Sequence, residues 1–163
     1  MQKAPPRKEP LEINGAIREV IELGRGEAVK NGVLVRTALA DGLPLIAGDR
    51  VLLQQVMLNL IVNAVEAMSC AREGTRELLI STEKVGAADV LVAVRDSGPG
   101  FAPADCERLF EAFYTTKPNG LGLGLSICHS IIEAHGGRMW ASPNVPRGAV
   151  FQFTLPAQPG PGS

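Results

Sequence analysis

The chain has 163 residues, 45% of them apolar and 20% charged, with 16 Lys+Arg against 17 Asp+Glu and a net charge of -1. That size and balance fit one globular domain with a single core, and exclude a disordered, collagenous or coiled-coil chain. The lack of a basic excess argues against a nucleic-acid binder, and no apolar run approaches the roughly 20 residues needed to span a bilayer.

Met1 to Pro10 holds three prolines and no apolar stretch of signal-peptide length, so a loose linker and a cytoplasmic location are expected. From Leu11 the apolar positions Ile13, Ile17, Val20, Ile21 and Val29 fit a helix interrupted near Gly24 and Gly26. Asn31-Gly32 signals a turn, Val33 to Leu39 alternates as a strand, and Leu43 to Ile46 reads as a short edge strand. Asp49 is a candidate N-cap for a long apolar helix from Arg50 to about Cys70. Glu77 to Lys84 and Asp89 to Arg95 are two strands of a hairpin turning at residues 85–88. A short helix over 103–110 and a loop over 114–120 lead into a helix from about Leu123 to Ala134. Arg138 to Ala141 and Ala149 to Leu155 close the chain as strands, and residues 156–163 form a Pro/Gly tail. Helices and strands alternate without a strict βαβ repeat. The expected fold is therefore an α+β two-layer sandwich, a mixed sheet backed by helices.

Cys70, Cys106 and Cys128 form no C-x-x-C pair, and His129 and His135 have no third partner at a ligand spacing. These are expected to be structural residues of a reducing compartment. Chemistry is carried elsewhere. The helix from Arg50 is apolar nearly all round, so most of its sides should be buried. On it, Gln55, Asn59, Asn63 and Glu66 stand four, four and three residues apart and share an arc of about 80°. Buried amides without partners cost on the order of 1–3 kcal/mol. The stripe is therefore either an exposed face or a place where amide oxygens meet a hard cation.

Two glycine-rich turns follow. The strand over 89–95 runs into Asp96-Ser97-Gly98-Pro99-Gly100-Phe101, a carboxylate at a strand end beside glycines that let a ligand approach the backbone. Gly120-Leu121-Gly122-Leu123-Gly124 opens a helix and offers unobstructed N–H groups to an anion, although neither a P-loop nor a Rossmann fingerprint is matched. Thr115, Thr116 and Lys117 stand just before it, two hydroxyls and a cation beside the glycines.

Taken together and in this order, these segments resemble the boxes of sensor histidine kinases. Asn59 to Met68 is similar to the N box, Asp96 to Gly100 to the first glycine box, Phe110 to Lys117 to the F box, and Gly120 to Ser126 to the second glycine box. The segments at 133–141 and 148–156 complete the pattern, and the wording around NAVEAM and EAHGGRMWA is most like the nitrogen-regulation and oxygen-sensing subclass.

The resemblance implies the ATP-binding fold shared with gyrase, Hsp90 and MutL: about five strands, three main helices and a short lid. By matching positions it implies that Asp96 accepts from the adenine amine. Asn63, assisted by Asn59, would hold Mg²⁺ against the phosphates of ATP. Gly98, Gly100, Phe101, Leu121 and Leu123 would line the nucleotide, and the amides of Gly120, Gly122 and Gly124, with Thr116 and Lys117, would meet its phosphates. Asn59, Asn63 and Lys117 would carry catalysis. Asn59 stands where hydrolases and serine-directed kinases of this fold place a general-base Glu, and an amide cannot accept the proton. That disfavours the alternatives of a stand-alone ATPase or a serine kinase; a non-catalytic ATP sensor is the remaining one. No stretch resembles a phosphoaccepting helix. The implied partners are an upstream dimerisation and phosphoacceptor hairpin, of which residues 1–10 would be the linker, and a response-regulator receiver domain. Neither nucleic acid nor direct membrane contact is expected, and the isolated chain should be monomeric.

Overall fold

The computed structural model describes residues 6–69, 76–86, 88–98, 122–144 and 148–157. Their elements are β1 (Glu9–Leu11), α1 (Ile13–Lys30), β2 (Leu34–Leu39), β3 (Ile46–Gly48), α2 (Arg50–Ser69), β4 (Glu77–Val85), β5 (Asp89–Asp96), α3 (Gly122–Ala134), β6 (Arg138–Pro143) and β7 (Ala149–Pro156). Strands β2-β4-β5-β7-β6 form a mixed sheet in that order, parallel only between β2 and β4, while β1 and β3 make a separate antiparallel pair. The three helices and this sheet are the α+β sandwich the sequence predicts.

The core follows from strand and helix periods. Leu78 and Ile80 of β4, Val90, Val92 and Val94 of β5, and Phe151, Phe153 and Leu155 of β7 are buried at every second position. Helix α1 meets α2 through Ile13, Ala16, Ile17, Val20, Gly24 and Ala28, a stripe at helical spacing. One polar group is buried under α1: the Thr82 hydroxyl donates to Asn14 Oδ1 at 2.9 Å and accepts from the Ala40 N–H at 2.9 Å. Asn14 Nδ2 in turn donates to the Ala40 carbonyl at 2.7 Å, so the group is satisfied throughout.

Four expectations change. Helix α1 runs unbroken through Gly24 and Gly26, because its buried stripe outweighs roughly 1 kcal/mol of lost propensity per glycine. The short strand is Ile46–Gly48 rather than Leu43 to Ile46, and its partner is Glu9–Leu11, inside the segment read as loose. Helix α2 is long and apolar enough in composition to cross a membrane. It nevertheless packs as the domain's inner helix through Leu53, Val56, Met57, Leu60, Ala64 and Met68. It is buried on one half rather than most sides: Val51 and Gln55 are exposed, and Leu58, Asn59, Val62, Asn63 and Glu66 are half-buried. The expected helix over 103–110 and the loop over 114–120 lie outside the described residues.

Candidate functional site

Strand alternation that buries Val90, Val92 and Val94 carries Asp96, the last residue of β5, onto the same inward face, where it is 4% exposed. A carboxylate there must be hydrogen-bonded. Its Oδ1 accepts from the Gly98 N–H at 2.9 Å, closing a tight turn, and from the Ala149 N–H of β7 at 3.2 Å. The Asp96 carbonyl accepts from Asn144 Nδ2 at 2.9 Å. Two glycines make this packing possible. Gly148 has φ +107°, and a Cβ on it would stand 1.9 Å from the Asp96 carbonyl oxygen. A Cβ on Gly98 would stand 3.2 Å from both Asp96 Oδ1 and Met68 Cγ, where the end of α2 meets the end of β5. Ser97 completes this floor, accepting from the Glu77 N–H at 2.9 Å through Oγ.

The amide stripe lies on the α2 face turned away from the core, with Asn59, Asn63 and Glu66 half-buried. Helix α3 runs antiparallel beside it. Asn59 Nδ2 donates to Cys128 Sγ at 3.6 Å, and Cys128 Sγ reaches the Val56 carbonyl at 3.9 Å. At the other end, His135 follows the last turn of α3 and accepts the Asp49 N–H at 3.0 Å through Nε2. The antiparallel register of these contacts brings the first turn of α3, from Gly122, level with Asn63. The N-terminus of a helix, whose first N–H groups have no partner within the helix itself, therefore lies beside the amide stripe.

Electrostatics at the helix junction follow from hydrogen bonds. Asp49 caps α2: Oδ1 accepts from the Leu52 N–H at 3.2 Å and Oδ2 from the Arg7 N–H at 3.0 Å. The Arg7, Leu52 and Val51 amides hold its carboxyl below the usual value against a desolvation cost. His135, 2% exposed, is fixed in one tautomer, because Nε2 accepts a hydrogen bond from the Asp49 backbone N–H and Nδ1 lies 2.8 Å from the Ile131 carbonyl. His129 instead pairs with Glu133 at 3.2 Å on the outer face of α3. Burial pushes the Cys128 thiol up to about 11, so it remains an S–H.

Of the sequence-predicted site residues, Asp96 and Gly98 are brought together at the end of β5, and Asn59 and Asn63 on α2. Gly122, Leu123 and Gly124 fall in the first turn of α3. Gly100, Phe101, Thr116, Lys117, Gly120 and Leu121 lie outside the described residues. Sequence reasoning missed the support: Asn144, Ala149 and Cys128 act through side chain–backbone or sulfur contacts that no spacing announces. Gly148, alone before an alternating strand, was the one available signal. A cavity of about 840 Å³ lies elsewhere, lined by Arg7, Asp49, Leu52, Gln55, Ile127 and Ile131 among others, and shares only Gln55 with the stripe. The polar chemistry is at Asp96 and the asparagines, and that place decides the reading.

Comparison with known proteins identifies the family. The model of the histidine kinase-, DNA gyrase B- and HSP90-like ATPase family matches residues 48–159. The sensor protein FixL of Bradyrhizobium diazoefficiens is 47% identical over 141 residues, covering 86% of this chain and 28% of FixL. The sensor histidine kinase TmoS of Ectopseudomonas mendocina is 36% identical over 157 residues, 96% of this chain and 16% of TmoS. The chain thus spans less than a third of the length of these relatives. Among solved structures, the nucleotide-free catalytic domain of histidine kinase ThkA superposes with a TM-score of 0.81 at 34% identity, covering 92% of this chain and 95% of that one. Full-length ShkA in complex with AMPPNP gives 0.82 at 32% identity, over 95% of this chain and 32% of ShkA. The chain belongs to the histidine kinase-, DNA gyrase B- and HSP90-like ATPase family, as a catalytic domain of the sensor histidine kinase type.

Proposed function

We propose that this domain binds Mg-ATP and transfers the γ-phosphoryl group to a histidine on a separate helical hairpin of the same kinase, on the cytoplasmic side of the cell. A response-regulator receiver would then collect the group. The observation that carries the reading is the buried Asp96 carboxylate at the end of a core strand, where the end of α2 meets that strand, together with the Asn59 and Asn63 amides carried on the same helix. A carboxylate held by backbone donors is an acceptor only, suited to the exocyclic amine of adenine rather than the carbonyl of guanine. The solved complex of ShkA with AMPPNP and that of ThkA with its response regulator TrrA support the same ligand and partner classes.

The donor set fits Mg²⁺. Asn59 and Asn63 offer amide oxygens, and the described residues contain no cluster of three His, Cys, Asp or Glu side chains. A hard cation here would be shared between one or two amide oxygens, water and the phosphates. When bound, it would neutralise phosphate charge. Asn63, with Asn59 assisting, would orient it; the α3 amides from Gly122 onward, with Gly120, Thr116 and Lys117, would hold the phosphates; Gly100, Phe101, Leu121 and Leu123 would line the nucleotide. In the transfer, the bond from the γ-phosphorus to the bridging oxygen breaks, a phosphorus–nitrogen bond forms, and ADP leaves. The protein's share is positioning and charge stabilisation.

Stand-alone hydrolysis is disfavoured because Asn59, at the general-base position, donates to Cys128 and has no basic lone pair at neutral pH. Titrating Mg-ATP into the chain in a calorimeter tests both points. Saturable heat with a flat baseline is expected. Absence of heat overturns the nucleotide site, and sustained heat after each injection overturns the division of labour.

A further inference from the structure

The contact between α2 and α3 at Asn59 bears on which end of its amide faces the ligand. Cys128 is fully buried and lies within reach of two polar atoms, the Val56 carbonyl oxygen at 3.9 Å and Asn59 Nδ2 at 3.6 Å. The carbonyl can only accept, so the thiol hydrogen belongs to it, and the sulfur is left to accept. An acceptor sulfur selects the NH₂ end of the Asn59 amide. The amide is planar, so its Oδ1 is then turned away from the sulfur, on the outward face of α2 that carries Asn63 and Glu66.

We infer that Cys128 is a positioning residue for Asn59, fixing the amide so that an oxygen rather than two N–H donors faces the metal side of the site. This rests on the proposed reading of the α2 face as that side. The orientation matters because Mg²⁺, and any water bound to it, interacts with oxygen acceptors, whereas an NH₂ group turned the same way opposes the cation. Without the sulfur the two amide orientations lie close in energy, and a fraction of the molecules presents the wrong end.

The readout is Mg²⁺ coupling: the ratio of AMPPNP affinity in saturating Mg²⁺ to that in EDTA, measured by calorimetry on the 163-residue chain. Cys128→Ala should lower the ratio about threefold to tenfold, the range that an ordinary hydrogen bond supports, with affinity in EDTA unchanged. Cys128→Ser, which keeps a donor and an acceptor, should hold the ratio within about twofold of the original. Cys128→Val fills the space without accepting and should match the alanine variant, which keeps the test alive if the alanine cavity unfolds the chain.

Asn63→Ala separates the two levels of argument. If it abolishes the coupling while Cys128→Ala and Cys128→Val leave it intact, the positioning role is wrong and the site reading stands. If Asn63→Ala leaves the coupling whole, the metal-side reading fails and the inference with it. Equal losses in the serine and alanine variants would make the effect one of packing and would also overturn the role.

Discussion

Along β5 the inward positions hold Val90, Val92 and Val94, and the next holds Asp96. Its environment is built to tolerate a charge: two backbone N–H groups on Oδ1, an asparagine on its carbonyl, and a glycine at 148 whose missing side chain lets β7 reach it. Gly148→Ala should therefore cost at least about 3 kcal/mol, since a left-handed backbone and a backbone clash coincide. Urea unfolding measures this, and a loss below about 1 kcal/mol would mean that the β6–β7 connection moves freely. Asp49 supplies a second prediction at this scale. Its folded carboxyl titrates below the unfolded value of about 3.9. The cap is thus fully stabilising above that value and is lost as pH falls through the folded one. Asp49→Ala should cost about 1 kcal/mol at pH 7. The gap should narrow by about pH 3, and a gap that widened there would contradict the capping account.

Helix α1 shows why some elements were legible and others were not. Its period was readable, yet Gly24 and Gly26 looked like breaks, because propensity is local and packing against α2 is not. Gly24 is buried, and a Cβ on it would meet Ile61 Cγ2 at 3.6 Å, an ordinary contact, while nothing lies within 4 Å of the corresponding point on Gly26. Gly26→Ala should accordingly stabilise the domain by about 0.5–1 kcal/mol in a denaturant midpoint. A destabilisation would mean that the backbone at Gly26 departs from regular helical geometry. Strand β1 was hidden for a different reason. Pro10 and two charged neighbours do not read as a strand, and the pairing of Glu9 with Gly48 spans a separation that no local pattern encodes. The antiparallel placement of α3 on α2, which sets Cys128 against Asn59, is equally non-local. The boxes pointed to Asn59, Asn63 and Asp96 as candidates, but not to what holds them.

At the scale of the whole molecule, the nucleotide reading ties β5, α2 and α3 into one ligand-linked unit, and linkage makes that measurable. A ligand that binds only the folded state stabilises it by about 2.7 kcal/mol at a hundred times Kd. For a domain of this size that raises the melting temperature by roughly 5–10 °C. Mg-ATP should produce such a shift and Mg-GTP should not, because a carboxylate in the role proposed for Asp96 would accept from the adenine amine and would oppose the guanine carbonyl. Asp96→Asn isolates the cause. The asparagine oxygen can still take the Gly98 and Ala149 N–H groups, so the ligand-free stability should fall little, by about 1 kcal/mol or less. Its NH₂ end, however, faces the adenine amine donor to donor, and the Mg-ATP shift should fall below about 2 °C. A variant that melts far lower without ligand would make Asp96 a structural anchor first. One that keeps the full Mg-ATP shift would remove adenine recognition from this carboxylate, and with it the reason for burying a charge where β5 would otherwise place another valine.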